Sequence, residues 1–113
     1  MKSHMIRFER KDRISFDKIK SGEKPIETRA ATVKYQAVTL GDELVFSCAG
    51  ELFSRAVVKI HRWESVEEMA KEAPLRKVIP WADSLDEAKA VFASFPGYEE
   101  KIQEFGILGF ELA

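Results

Sequence analysis

Between Trp63 and Ser65 the chain changes its hydrophobic period, and that change limits the folds open to it. Over residues 53–63 the pattern alternates, with Ala56, Val58, Ile60 and Arg62 on one face of an extended strand and Val57, Lys59, His61 and Trp63 on the other. Such a strand is half-buried and needs sheet neighbours. From Ser65 the spacing is helical. Ser65 followed by Glu68 forms a capping box, and Val66, Met69 and Ala70 supply an apolar stripe that stops before Pro74. A short helical turn over Leu75–Val78 ends at Pro80. Ser84 and Glu87 repeat the box, and Leu85, Ala88, Val91, Phe92 and Phe95 line a helix closed by Pro96-Gly97. Two periods in separate blocks predict an α+β protein.

The remaining segments extend this plan. A short strand is expected over Ile6–Glu9, and Ile14, Phe16 and Ile19 suit a helix over Arg13–Ser21 ending at Gly22. Residues 26–33 read as a strand. The Gly41-Asp42 turn delivers another strand at 43–47, and Gly106–Leu112 closes the chain as a strand. Strand, helix, three strands, two helices and a final strand predict a sheet that closes partly into a barrel. With 113 residues, 45% of them apolar, the chain suffices for one core and is too short for two ordinary domains. Met1-Lys2-Ser3-His4 reads as an expression-vector remnant ahead of a start at Met5, so residues 1–4 are set aside from the fold and His4 from function.

Composition removes several chemistries. The lone Cys48 excludes an internal disulfide and a Cys-rich metal module, and is read as structural. His61 with scattered carboxylates does not make a zinc set, so neither metal nor cofactor is expected. No apolar run approaches the roughly 18 residues of a membrane span, which predicts a cytoplasmic protein with no membrane partner. Phosphate-binding Gly-rich loops and a Gly-x-Ser-x-Gly elbow are absent.

The candidate site lies in Gly22-Glu23-Lys24-Pro25-Ile26-Glu27-Thr28-Arg29, where a helix pattern gives way to a strand pattern. Gly22 suits a helix C-cap, and Pro25 pushes Lys24 toward extended backbone. In a regular strand Glu27 and Arg29 share a face. Lys24 points the other way unless the Gly22 turn re-aims it. The net charge of −1 argues against a non-specific nucleic-acid coat, yet residues 1–36 hold ten Lys/Arg against five Asp/Glu. A local cationic field around the motif can steer an anionic ligand. The plain structural alternative is a sheet-surface ion pair between Glu27 and Arg29, with Trp63 as ordinary core.

Taken in order, these residues resemble the ASCH (activating-signal-cointegrator homology) domain family of the PUA-like superfold. The resemblance is carried by Gly22-x-Lys24-x-x-Glu27-x-Arg29 after a short helix, Gly41-Asp42-Glu43-Leu44-Val45-Phe46, and Arg62-Trp63-Glu64-Ser65-Val66-Glu67-Glu68-Met69. Ser84-Leu85-Asp86-Glu87-Ala88, Phe95-Pro96-Gly97-Tyr98 and Phe105-Gly106-Ile107-Leu108-Gly109-Phe110 continue it. It implies one ASCH/PUA-like domain over residues 6–113, a β-pseudo-barrel with flanking short helices.

For function, the resemblance implies a module that binds RNA or a nucleotide in a cleft beside the barrel. Lys24 and Arg29 would contact phosphate or a base edge, Glu27 would hold Arg29 or accept from a base amino group, and Trp81 or Trp63 would stack a base. A few members are hydrolases, either ribonucleases or amidohydrolases that deacetylate N4-acetylcytidine. In that alternative Lys24 would stabilise an oxyanion and Glu27 would act as base. The chain departs from the amidohydrolase pattern twice. Glu27 stands where that pattern has Thr, and Trp81 aligns with its distant Glu, Asp83 lying two residues on. A protein-interaction domain using the acidic helices after residue 64 is the third reading.

Overall fold

The computed structural model describes residues 1–113. In chain order it contains β1 (Ser3–Phe8), a 3₁₀ turn (Arg10–Asp12), α1 (Arg13–Ser21), β2 (Ile26–Ala30), α2 (Val33–Gln36), β3 (Glu43–Cys48) and β4 (Glu51–Trp63). It continues with α3 (Val66–Glu72), α4 (Leu75–Val78), α5 (Leu85–Ala93), α6 (Tyr98–Phe105) and β5 (Ile107–Leu112). The strands form one sheet in the order β1-β3-β4-β5-β2, with β1 parallel to β3 and the other pairs antiparallel. This is an α+β fold, a five-stranded curled sheet of the PUA-like pseudo-barrel kind with short helices around it.

The curl originates in β4. Its first half, Glu51–Ala56, pairs with β3, and its second half, from Val57, pairs with β5. A bulge sits at the change of partner: Val57 faces Leu112 and Lys59 faces Glu111, leaving Val58 without an opposite residue. An extra residue on one strand bends it and increases its twist, which turns a flat sheet toward closure. It also breaks the alternation expected for residues 53–63. Val58 is 57% exposed, while Ile60 packs on the core; the two do not share a face as a regular strand would require.

Buried side chains separate into two clusters. One gathers Trp63, Met69, Val78, Phe92 and Ile107 between α3–α6 and the sheet, and the other gathers Phe16, Phe46, Val57, Leu108 and Phe110 under α1. Ile107 and Leu108 belong to different clusters, so β5 is covered on both faces. An uninterrupted apolar run suits such a strand.

Both capping boxes form. The Ser65 hydroxyl accepts from Glu68 N–H (3.1 Å) and the Ser84 hydroxyl from Glu87 N–H (3.2 Å). The glutamates reach back one residue beyond the cap, to the N–H groups of Glu64 (3.1 Å) and Asp83 (2.8 Å).

Three expectations need correction. The strand expected over 26–33 stops at Ala30, and residues 33–36 form α2 instead. Tyr98–Phe105 is a helix that the Pro96-Gly97 stop signal concealed, since Gly97, at φ 73°, serves as the N-cap of a new helix. Residues 3 and 4 are not idle: β1 begins at Ser3 and pairs with β3 from Ser3 against Glu43 onward. His4 Nε2 lies 2.8 Å from Asp42 Oδ2, and Lys2 N–H donates to Asp42 Oδ1 (3.0 Å).

Candidate functional site: a cationic cleft at the edge of the sheet

Gly22 ends α1 in the left-handed conformation at φ 88°, its N–H bonded to Ile19 O, and Lys24 N–H then donates to Lys18 O (2.9 Å). This tight exit turns the Lys24 side chain inward before β2 begins. Its ammonium donates to the carbonyl of Ile26 (3.0 Å) and to that of Val78 at the end of α4, and lies 3.6 Å from Glu27 Oε1. The two carbonyls take hydrogen bonds from the ammonium, and the Glu27 carboxylate supplies its counter-charge. Burial pulls the Lys24 pKa below its ordinary value of 10.5, and the Glu27 charge resists that pull.

Glu27 and Arg29, two apart on β2, share a face as a regular strand requires. Glu27 is 4% exposed; Oε1 accepts from Thr28 N–H (2.8 Å) and Oε2 from Arg29 Nη2 (3.3 Å). This is not a surface ion pair. One carboxylate joins two cations below the surface, leaving a net positive cluster.

The Arg29 guanidinium lies over the rings of Phe8 (5.2 Å) and Tyr35 (5.7 Å), geometry in which the ring faces attract the cation. Burial acts to lower its pKa, but Glu27, Tyr35 and Tyr98 outweigh burial and hold it above the ordinary value. Its Nε is buried and has no hydrogen-bond partner. The Tyr98 hydroxyl accepts from Ala30 N–H (3.0 Å) on the free edge of β2. Burial raises its pKa, with Arg29 pulling the other way.

Lys24, Glu27 and Arg29 open into a cleft of about 370 Å³ bounded by residues 7–15, by β2 and by residues 79–101. Its aromatic wall is Phe8, Trp81, Phe92, Phe95 and Tyr98. Five basic residues (Arg7, Lys11, Lys24, Arg29, Lys101) line it against three acidic ones (Glu9, Asp12, Glu27). The first four of those cations come from the basic first third of the chain. Arg7 and Lys101 make no ion pair, whereas Lys11 is paired with Glu9 at 3.4 Å.

The structure therefore brings together Lys24, Glu27, Arg29 and Trp81. Trp63 is elsewhere. It is 1% exposed in the helix-side cluster, its indole N–H donates to Glu72, and its ring stacks on His61 at 5.1 Å. It sits on the part of β4 that packs under α3, so its place in the ligand set is withdrawn and the core reading holds. Asp83 does not line the cleft.

Sequence reasoning missed Phe8, Tyr98 and Lys101. Tyr98 carried the only signal, as the aromatic after Pro96-Gly97. The other two reach the cleft by topology, Phe8 from the end of β1 and Lys101 from α6.

No protein-family model matches the chain, and no curated protein matches it significantly. Two solved structures share its fold over nearly their whole lengths. The crystal structure of hypothetical protein PH0355 superposes with a TM-score of 0.80 at 26% identity, covering 99% of this chain and 97% of that one. The solution NMR structure of protein PF0455 from Pyrococcus furiosus gives a TM-score of 0.75 at 26% identity, covering 97% of this chain and 94% of that one.

Proposed function

We propose that this protein is an ASCH-type module that binds RNA or a nucleotide in the cleft beside the sheet. The observation that carries the reading is the pairing of a net-positive buried floor, Lys24–Glu27–Arg29, with an aromatic wall that includes Trp81. Cation beneath and π-face alongside is the arrangement a phosphate and its base require. A volume of about 370 Å³ is at the small end of ligand pockets, the scale of a single nucleotide.

Roles divide within the floor. Lys24 is buried, donates to two carbonyls and pairs with Glu27, so it acts as the brace of the site. Arg29 lines the cleft with a single side-chain hydrogen bond, to Glu27, and is the residue we assign to the ligand's anionic group. Apart from the buried Nε, its guanidinium N–H groups are the donors that a bound oxyanion would take.

Binding is favoured over hydrolysis by the state of Glu27. Its carboxylate is only 4% exposed and is held by Thr28 N–H and Arg29, whereas a general base must come within hydrogen-bond reach of the proton it takes.

The test is titration of the protein with mononucleotides, short oligoribonucleotides and N4-acetylcytidine, following tryptophan fluorescence and product formation together. Saturable binding that perturbs Trp81, abolished in Trp81→Phe, with no turnover is expected. Rapid product formation lost in Lys24→Ala would replace the binding module by a hydrolase.

A further inference from the structure

A second groove adjoins the cleft. It has a volume of about 360 Å³ and is lined by Met5, Arg7, Lys34 and Tyr35; Arg7 lines both spaces. Met5 and Arg7 project from the same face of β1, the edge strand, while Lys34 and Tyr35 come from α2. Arg29 lies over both Phe8, on the cleft side, and Tyr35, on the groove side.

The groove has the same chemistry as the cleft and no opposing charge. Its two charged residues are cations, no carboxylate lines it, and neither Arg7 nor Lys34 makes an ion pair. The Lys34 amine lies 5.1 Å from the centre of the Tyr35 ring, so an exposed cation and a half-buried aromatic face are presented together. Because Arg7 lines both spaces, the cationic lining of the cleft continues into the groove.

We infer that the ligand is a single-stranded nucleic acid rather than a free mononucleotide: the cleft takes one nucleotide, and Arg7, Lys34 and Tyr35 take the phosphate and base that follow it. This rests on the nucleotide reading of the cleft. Arg7 stands where the connecting phosphate passes, Lys34 neutralises the next one, and Tyr35 offers a stacking face.

The experiment compares a ribomononucleotide, a tetraribonucleotide and a tetradeoxyribonucleotide on the wild-type chain and on Lys34→Ala, across a salt series. Lys34 is exposed and makes no hydrogen bond, so the variant is expected to retain the wild-type melting temperature, measured alongside. The tetranucleotides should bind more tightly than the mononucleotide. Lys34→Ala should weaken only the tetranucleotides, by roughly five- to tenfold, and lower their log–log salt slope by about 0.7 for the lost phosphate contact. The two sugars separate an RNA ligand from a DNA one. If the mononucleotide binds as tightly as the strands, or Lys34→Ala weakens all three equally, the strand inference fails while the cleft reading stands. Binding of none of the probes overturns both.

Discussion

Glu27 holds two buried cations with one carboxylate, and the energetics of the site depend on it. Glu27→Gln leaves Lys24 and Arg29 without a counter-charge, and breaking a buried pair from one side typically destabilises by about 3–5 kcal/mol. Urea denaturation should show that loss at neutral pH. It should shrink as pH rises toward 10.5, because without Glu27 the Lys24 pKa falls further, the unfolded chain then binds more protons than the folded one, and stability climbs with pH. A pH-independent loss would mean that Lys24 is not the cation Glu27 balances. Arg29 should behave differently. Arg29→Ala should weaken nucleotide binding by roughly tenfold, and Arg29→Lys should not restore it, since an ammonium lacks the planar fork. A lysine that binds as well as the native arginine would refute this use of the guanidinium. Gly109 illustrates a purely steric demand: a Cβ there would fall 2.5 Å from the buried Trp63 ring. Gly109→Ala should lower stability by about 1–3 kcal/mol through overpacking, read by the same denaturation, and an unchanged midpoint would mean the ring can move.

At the scale of elements, the capped helices α3 and α5 were written plainly, whereas α2, α6 and the strand ends were not. Ser65-x-x-Glu68 and Ser84-x-x-Glu87 announce α3 and α5 because a cap is a local device: the side chain meets a backbone N–H three residues away. Ser84→Ala should therefore destabilise by about 1 kcal/mol, detectable as a lower thermal midpoint; no shift would show that α5 is held by packing alone. The junction of β1 with β3 depends on distant partners. Asp42 accepts from the N–H groups of Lys2 and Thr39 and pairs with His4, and those bonds, the Lys2 bond first, push its carboxyl well below the ordinary 3.8. A carboxyl depressed in the folded state stabilises the fold above its unfolded value and loses that contribution as pH falls through the folded one. The stability advantage of the wild type over Asp42→Asn should accordingly be full near neutrality and diminish below about pH 4. An advantage that persists unchanged in acid would show that the charge is not what matters.

For the whole molecule, a net charge of −1 conceals a cleft where cations outnumber carboxylates, and that contrast arises from folding. The sequence by itself determined the α+β class, because changes of period and capping boxes are local. It determined that Glu27 and Arg29 stand together, because residues two apart on a strand share a face. It left open whether Lys24 joins the other two, and the left-handed turn at Gly22 decides that. It could not show that β4 bends at Val58, since a bulge is visible only against the strands on either side. Nor could it separate the tryptophans. Trp63 lies between Arg62 and Glu64 and Trp81 between Pro80 and Ala82, settings that do not fix burial; one packs under α3 and the other reaches the cleft from the connection after α4. Phe8, Tyr98 and Lys101 meet around β2 only because β1, α6 and the sheet edge converge there. Short-range preference acts through the backbone within a few residues and can be read along the chain, whereas a binding site is made of side chains from distant segments whose separation is set by packing.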